Sequence, residues 1–201
     1  MKLYHSLTGK LPKSEIIMNS ASKRLGICLF VLLLAVPFVG RGQAPNQDSV
    51  WKPLMFFVGN WTGQAEGDPG RGAYERQYRF IFNNKFIEIR NKSTWAPTAT
   101  NAKGEVHEDI GYISYDKARR IFVLRQFHIE GFVNQYKLDS ISPDGRTIVF
   151  VSEAIENIGA GWRARETYQR MGDGEFSETF ALAAPDKDFE VYTKAVLKRA
   201  K

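Results

Sequence analysis

Cysteine is nearly absent from the 201-residue chain: there is one, Cys28, close to the N-terminus. A lone thiol forms no disulfide within the chain and no thiolate metal site. Familiar catalytic signatures are missing too. There is no Gly-x-Ser-x-Gly, no phosphate-cradling glycine loop and no His-Glu-x-x-His. Histidine is scarce, and beyond residue 42 only His107 and His128 occur. The longest apolar run, GICLFVLLLAVPFV over Gly26–Val39, falls short of the roughly 20 residues of a membrane-spanning helix. No internal repeat or low-complexity stretch is present.

That run does fit a secretory signal peptide. Lys23 and Arg24 precede it, and Gly40, Gly42 and Ala44 follow it, giving the basic start, short apolar core and small-residue exit of an export leader. Residues 1–42 are therefore expected to be removed. A cut after Gly42 avoids leaving Pro45 at the new terminus, and no cysteine at the exit offers a lipid attachment point. An uncleaved anchor is the alternative reading. Met18 opens MNSASKRLGICLF, a well-proportioned signal by itself, so residues 1–17 read as the product of a start codon placed too far upstream. The expected location is exported, periplasmic or extracellular, without stable membrane insertion after cleavage.

Setting the leader aside changes the charge argument. The chain carries 28 Lys and Arg against 22 Asp and Glu, for +6. Lys2, Lys10, Lys13, Lys23, Arg24 and Arg41 fall in the leader against the single acid Glu15, leaving +1 for the rest. The basic balance is thus no sign of a nucleic-acid partner. Roughly 155 residues remain, enough for one domain over 48–200 with a sizeable core.

Trp51, Leu54, Met55 and Val58 recur at helical spacing and predict a short helix or turn leading in. Beyond it the pattern has period two, as in half-buried strands. Strands are expected over 60–67, 74–82, 86–95, 109–115, 120–128, 132–139, 147–153, 162–171, 175–182 and 189–199. Tight-turn residues separate most of them, such as Asn83-Asn84, Asp116-Lys117, Pro143-Asp144-Gly145 and Gly172-Asp173-Gly174. Ten short antiparallel strands with short links imply an all-β fold. It is a closed up-and-down β-barrel of the calycin, lipocalin-like kind, which leaves no exposed edge and has an interior fit for one small ligand.

Candidate ligand-binding residues follow from polar groups set among apolar ones. Gln126 and His128 share one face of their strand and Arg125 the other. Asn134 and Tyr136 share a face on the next strand with Phe132. These groups either line a cavity or face solvent, the usual place of Arg, Gln and Asn. If Trp162, Ala164, Glu166 and Tyr168 face inward, Glu166 is buried and needs a partner, with Arg90 or Arg125 as candidates. An apolar cavity lined by Phe80, Phe82, Phe127, Phe132, Tyr136 and Trp162 is expected. His107-Glu108-Asp109 reads as a polar start to a strand and a poor metal cage, since neighbours point to opposite faces; no metal site is assigned. An enzyme using His128 with Glu153 or Glu166 would need hydrogen-bonding reach that the sequence does not place, so no catalytic residue is assigned.

Gly59-Asn60-Trp61-Thr62-Gly63-Gln64-Ala65-Glu66-Gly67 resembles the Gly-x-Trp-x-Gly-x-Gly-x-Gly opening of nitrobindin and fatty-acid-binding-like barrels, with Ala65 at the middle glycine. Val196-Leu197-Lys198-Arg199 resembles their closing Leu-x-Arg strand. The resemblance implies a Trp61 that plugs one barrel end and a haem held by a last-strand histidine; Trp61 and Tyr192 join the candidate ligand-binding residues. Residues 190–195 contain no histidine, and Tyr192 stands at or beside its place. The chain is closer to secreted relatives lacking that ligand. The expected function is binding of a small hydrophobic or amphipathic molecule without a cofactor. The alternative is a haem protein acting on nitrogen oxides, with Tyr192 or His128 on the iron.

Overall fold

A computed structural model describes residues 48–99 and 101–201. The expected leader, with its alternative start at Met18, lies outside the described residues. Asp48–Trp51 form a one-turn helix that runs into a 3-10 helix over Lys52–Phe57. Side chains three apart eclipse in a 3-10 helix, so Trp51, Leu54 and Phe57 make one buried stripe, while Met55 on the other side is exposed. Among the described residues no helix is long and apolar enough to cross a membrane.

Ten antiparallel strands follow: β1 (Gly59–Gly67), β2 (Gly70–Ile81), β3 (Phe86–Trp95), β4 (Glu105–Asp116), β5 (Ile121–His128), β6 (Val133–Ile141), β7 (Thr147–Glu156), β8 (Arg163–Gly172), β9 (Glu175–Ala183) and β10 (Glu190–Arg199). Each pairs with its sequence neighbour, and β1 pairs with β10, so the sheet closes on itself. The expected closed up-and-down barrel is the fold.

The closing seam rests on glycine. At Gly63 a Cβ would lie 2.2 Å from the Val196 carbonyl oxygen, and at Gly67 2.2 Å from that of Tyr192. The motif glycines therefore let β1 and β10 approach more closely than side chains allow. Ala65, where the resemblance has a glycine, keeps its methyl buried inside.

The two barrel ends differ. At one, Trp61 is 1% exposed and donates its indole N–H to the Phe57 carbonyl at 2.6 Å. Phe176 stands edge-on to Trp61 at 4.7 Å and to Phe57 at 5.1 Å, and Trp51 covers Phe80 and Phe122. The lead-in helices thus stopper this end with aromatic rings. The opposite end, where β3 finishes and β4 begins, holds a cavity.

Several strands are longer than the sequence suggests: β2 begins at Gly70 rather than 74, β7 ends at Glu156 rather than 153, and β4 changes most. β4 starts at Glu105 rather than 109, because its polar opening resembles a loop in composition. His107 and Asp109, two residues apart, consequently share its inner face.

Candidate functional site

The cavity measures about 220 Å³, and polar residues predominate among those that line it. Arg76 of β2, Glu178 of β9, Asn91 of β3, Asp109 of β4 and Gln126 of β5 are all buried there, with Glu166 of β8. Phe132, Phe180, Tyr192 and Trp95 supply its aromatic surface.

An ion pair between Arg76 and Glu178 spans the floor. Their strands are not neighbours: β1 and β10 lie between them. The small inward residues Gly63, Ala65 and Ala195 on those strands leave the two long side chains room to meet. Arg76 also donates to Asn91 Oδ1 at 3.0 Å and to the Tyr78 hydroxyl at 3.3 Å. Asn91 passes the chain on, donating to Asp109 Oδ2 at 2.8 Å.

At the rim, the His107 imidazole bridges two carboxylates. Its Nδ1 lies 2.7 Å from Glu130 Oε1 and its Nε2 3.6 Å from Asp109 Oδ2. Burial by itself would lower the His107 pKa, but the hydrogen bonds and charges of Asp109 and Glu130 outweigh it and push it up to about 9. His128 goes the other way. Burial pushes it down to about 4, with Asp109 opposing and His107 assisting. Its ring stacks on Phe132 at 4.1 Å. For Asp109 burial opposes ionisation, yet the His107 hydrogen bond and the Arg76 charge hold its pKa below the usual carboxylate value. Burial pushes Glu166 up to about 8, against the pull of Arg76. Among the described residues four buried side-chain oxygens find no hydrogen-bond partner: Asp109 Oδ1, Gln126 Oε1, Glu166 Oε2 and, just behind the wall, Asn134 Oδ1.

Of the residues expected at the site, Gln126, His128, Glu166 and Tyr192 come together on the cavity wall. Asn134 and Tyr136 lie behind it, the amide of one donating to the hydroxyl of the other at 2.9 Å. The remaining four require correction. Trp61 belongs to the packed end. Arg90 and Arg125 sit on outward positions of β3 and β5, bonded to Glu88 at 3.2 Å and Ser114 at 3.4 Å; the cation near Glu166 is Arg76. Trp162 precedes β8, in a loop against Gly159, because the inward alternation of Ala164, Glu166 and Tyr168 begins only with the strand.

The expected apolar lining is also corrected. Phe82 is 75% exposed in the β2–β3 turn at φ 49°, and Phe127 points outward. Phe80 packs at the stoppered end, leaving Phe132 as the cavity's share of that set. Arg76, Glu178, Asn91, His107 and Asp109 were missed. A signal existed: Tyr74-x-Arg76-x-Tyr78 and Phe176-x-Glu178-x-Phe180 each put a charge at the middle of an apolar alternation.

The family model described as a THAP4-like, heme-binding beta-barrel domain matches residues 50–199. Among solved structures, the crystal structure of Rv2717c from M. tuberculosis is similar at 16% identity and TM-score 0.59, over 76% of this chain and 98% of that one; at that identity the likeness is one of fold. A de novo designed fluorescence-activating β-barrel aligns at 14% identity over 72% of this chain and 94% of its own, with a TM-score of 0.34. No curated protein matches the chain.

Proposed function

The chain belongs to the family of THAP4-like, haem-binding β-barrel domains, and on that footing we propose that it binds a small amphipathic molecule, drawing the molecule's hydrogen-donating polar end into the barrel. The observation that carries this reading is the set of buried oxygens without partners, three of them on the cavity wall. Leaving such groups unpaired costs roughly 1–3 kcal/mol each, so an N–H or O–H donor entering the cavity is favoured. The charge on Asp109 prefers an ammonium or hydroxyl head over a carboxylate. A cavity of about 220 Å³ lies under the roughly 300–1,000 Å³ of sites that engulf drug-sized ligands. It suits a head group, with the apolar end left among Phe132, Phe180 and Tyr192 at the mouth. We further propose that binding takes place outside the cytoplasm, a reading supported by the leader-like sequence of residues 1–42.

Haem does not fit the residues present. The inward side chains of β10 are Thr193, Ala195 and Leu197, with no imidazole among them. Tyr192 is a poor substitute, since burial raises its pKa and so disfavours the tyrosinate that would bind iron. Charged side chains line the cavity where a macrocycle needs apolar walls.

The test is a calorimetric comparison of phenethylammonium with 3-phenylpropionate, which differ in the charge of the head. The ammonium is expected to bind, and Asp109→Asn to weaken it at least tenfold. Equal or tighter binding of the carboxylate would reject the reading. A haemin titration run alongside is expected to show free-haemin absorbance; a saturable Soret band at one equivalent would restore haem.

A further inference from the structure

We propose that the rim of the cavity is a site for a divalent first-row transition ion of the zinc type, held by His107, His128 and Glu130. One ligating atom from each of the three lies within 4.8 Å of the other two. The strands bring them together by register. Asp109 pairs with His128 across β4 and β5, which sets His107, two residues earlier on the inner face of β4, beside His128 at the open end. Glu130 follows in the turn after β5.

The geometry between the two rings is the informative part. His107 Nε2 and His128 Nδ1 face each other at 3.4 Å. Two ligands on a tetrahedral ion with metal–nitrogen bonds of about 2.0–2.1 Å stand about 3.3–3.4 Å apart. The nitrogens are thus spaced for a shared ion and are long for a good hydrogen bond. Two imidazoles and a carboxylate select zinc-like borderline ions over calcium or magnesium, which prefer all-oxygen shells.

A second observation points to a ligand at this spot independently of the trio. Asp109 is buried, with one carboxylate oxygen 3.6 Å from His107 Nε2 and the other unpartnered. It supplies negative charge beneath the rim, where it can take a further coordination position or accept a hydrogen bond from ion-bound water. Asn134 serves the other histidine. Its Nδ2 lies 3.3 Å from His128 Nε2, and its own Oδ1 has no partner. Turning the amide over lets Oδ1 accept the Nε2 proton of His128, which leaves the Nδ1 lone pair facing His107 free to coordinate. Outer partners of this sort orient ligand histidines.

Asp109 is common to this site and to the head-group cavity, so the ion is tested with the metal alone and no organic ligand present. The full chain, carrying His5→Ala and Cys28→Ser to remove donors outside the described residues, is titrated with Co(II) and followed by visible absorbance. The proposal expects one Co(II) per chain with the intense d–d bands of a four-coordinate ion, bleached by one equivalent of Zn(II). His107→Ala and His128→Ala are expected to abolish the bands. Glu130→Gln, in an exposed turn where folding is not at stake, is expected to weaken binding at least tenfold. Circular dichroism verifies the fold of each variant, and Glu130→Gln decides alone if a histidine variant unfolds. Absence of Co(II) uptake by the folded chain, or uptake undiminished in folded variants, would overturn the assignment.

Discussion

Replacing Glu166 by glutamine should change how stability depends on pH. The carboxyl is buried on β8, facing Arg76 and Asp109 and surrounded by Tyr74, Tyr78, Tyr136 and Tyr168. Burial lifts its pKa from 4.5 to about 8 in the folded chain. Below pH 4.5 both folded and unfolded chains hold the proton, and the group contributes no pH dependence. Between 4.5 and 8 the unfolded chain has released it and the folded chain keeps it, so folding takes up a proton and stability falls as pH rises. The slope is about 1.4 kcal/mol per pH unit for one proton, or about 4 kcal/mol at most between pH 5 and 8. Above pH 8 the loss is complete and constant. The amide of the Glu166→Gln variant does not titrate and is close in shape to the carboxyl. Urea denaturation at pH 5, 6, 7, 8 and 9 should therefore show the variant gaining on the wild type at each step up to pH 8, then holding its lead. The titrations of His107 and His128 occur in both proteins and largely cancel in the difference. Two stability profiles that run parallel from pH 5 to 8 would refute the reasoning and imply that Glu166 is ionised and paired at neutral pH.

Two further predictions concern the architecture around the cavity. Arg76→Met leaves Glu178 buried without its cation and should cost about 3–5 kcal/mol in urea denaturation at pH 7; adding Glu178→Gln should recover most of that, whereas additive losses would deny the pair. Gly63→Ala places a methyl against the Val196 carbonyl at the β1–β10 seam and should cost about 1–3 kcal/mol, read as a lowered Tm. An unchanged Tm would show that the seam yields without strain.

The sequence by itself determined the class of fold and the order of its parts. Period-two alternation and turn residues depend on local stereochemistry, and a meander with short links has few ways to close, so ten strands and a barrel were legible. So was the role of Trp61, through the Gly-x-Trp motif. Assigning faces was harder. The apolar alternation Ile87, Ile89 of β3 shows that Arg90 points out, but Arg125 stands between Leu124 and Gln126 on β5, where neither face is cleanly apolar. Trp162 and Phe82 look like core residues and lie in loops. Aromatic residues gave a misleading guide to the cavity because the stoppered end consumes most of them.

Only the tertiary structure decided which charges meet in the interior. Arg76 and Glu178 lie about a hundred residues apart and on strands that do not pair. Their meeting depends on barrel curvature and on the small side chains of the two strands between them, which no local pattern encodes. The same holds for His107 and His128. Each is an isolated histidine in the sequence, and the β4–β5 register sets their ring nitrogens 3.4 Å apart at the mouth of the barrel. Local sequence sets which residues can alternate; long-range pairing sets which of them meet.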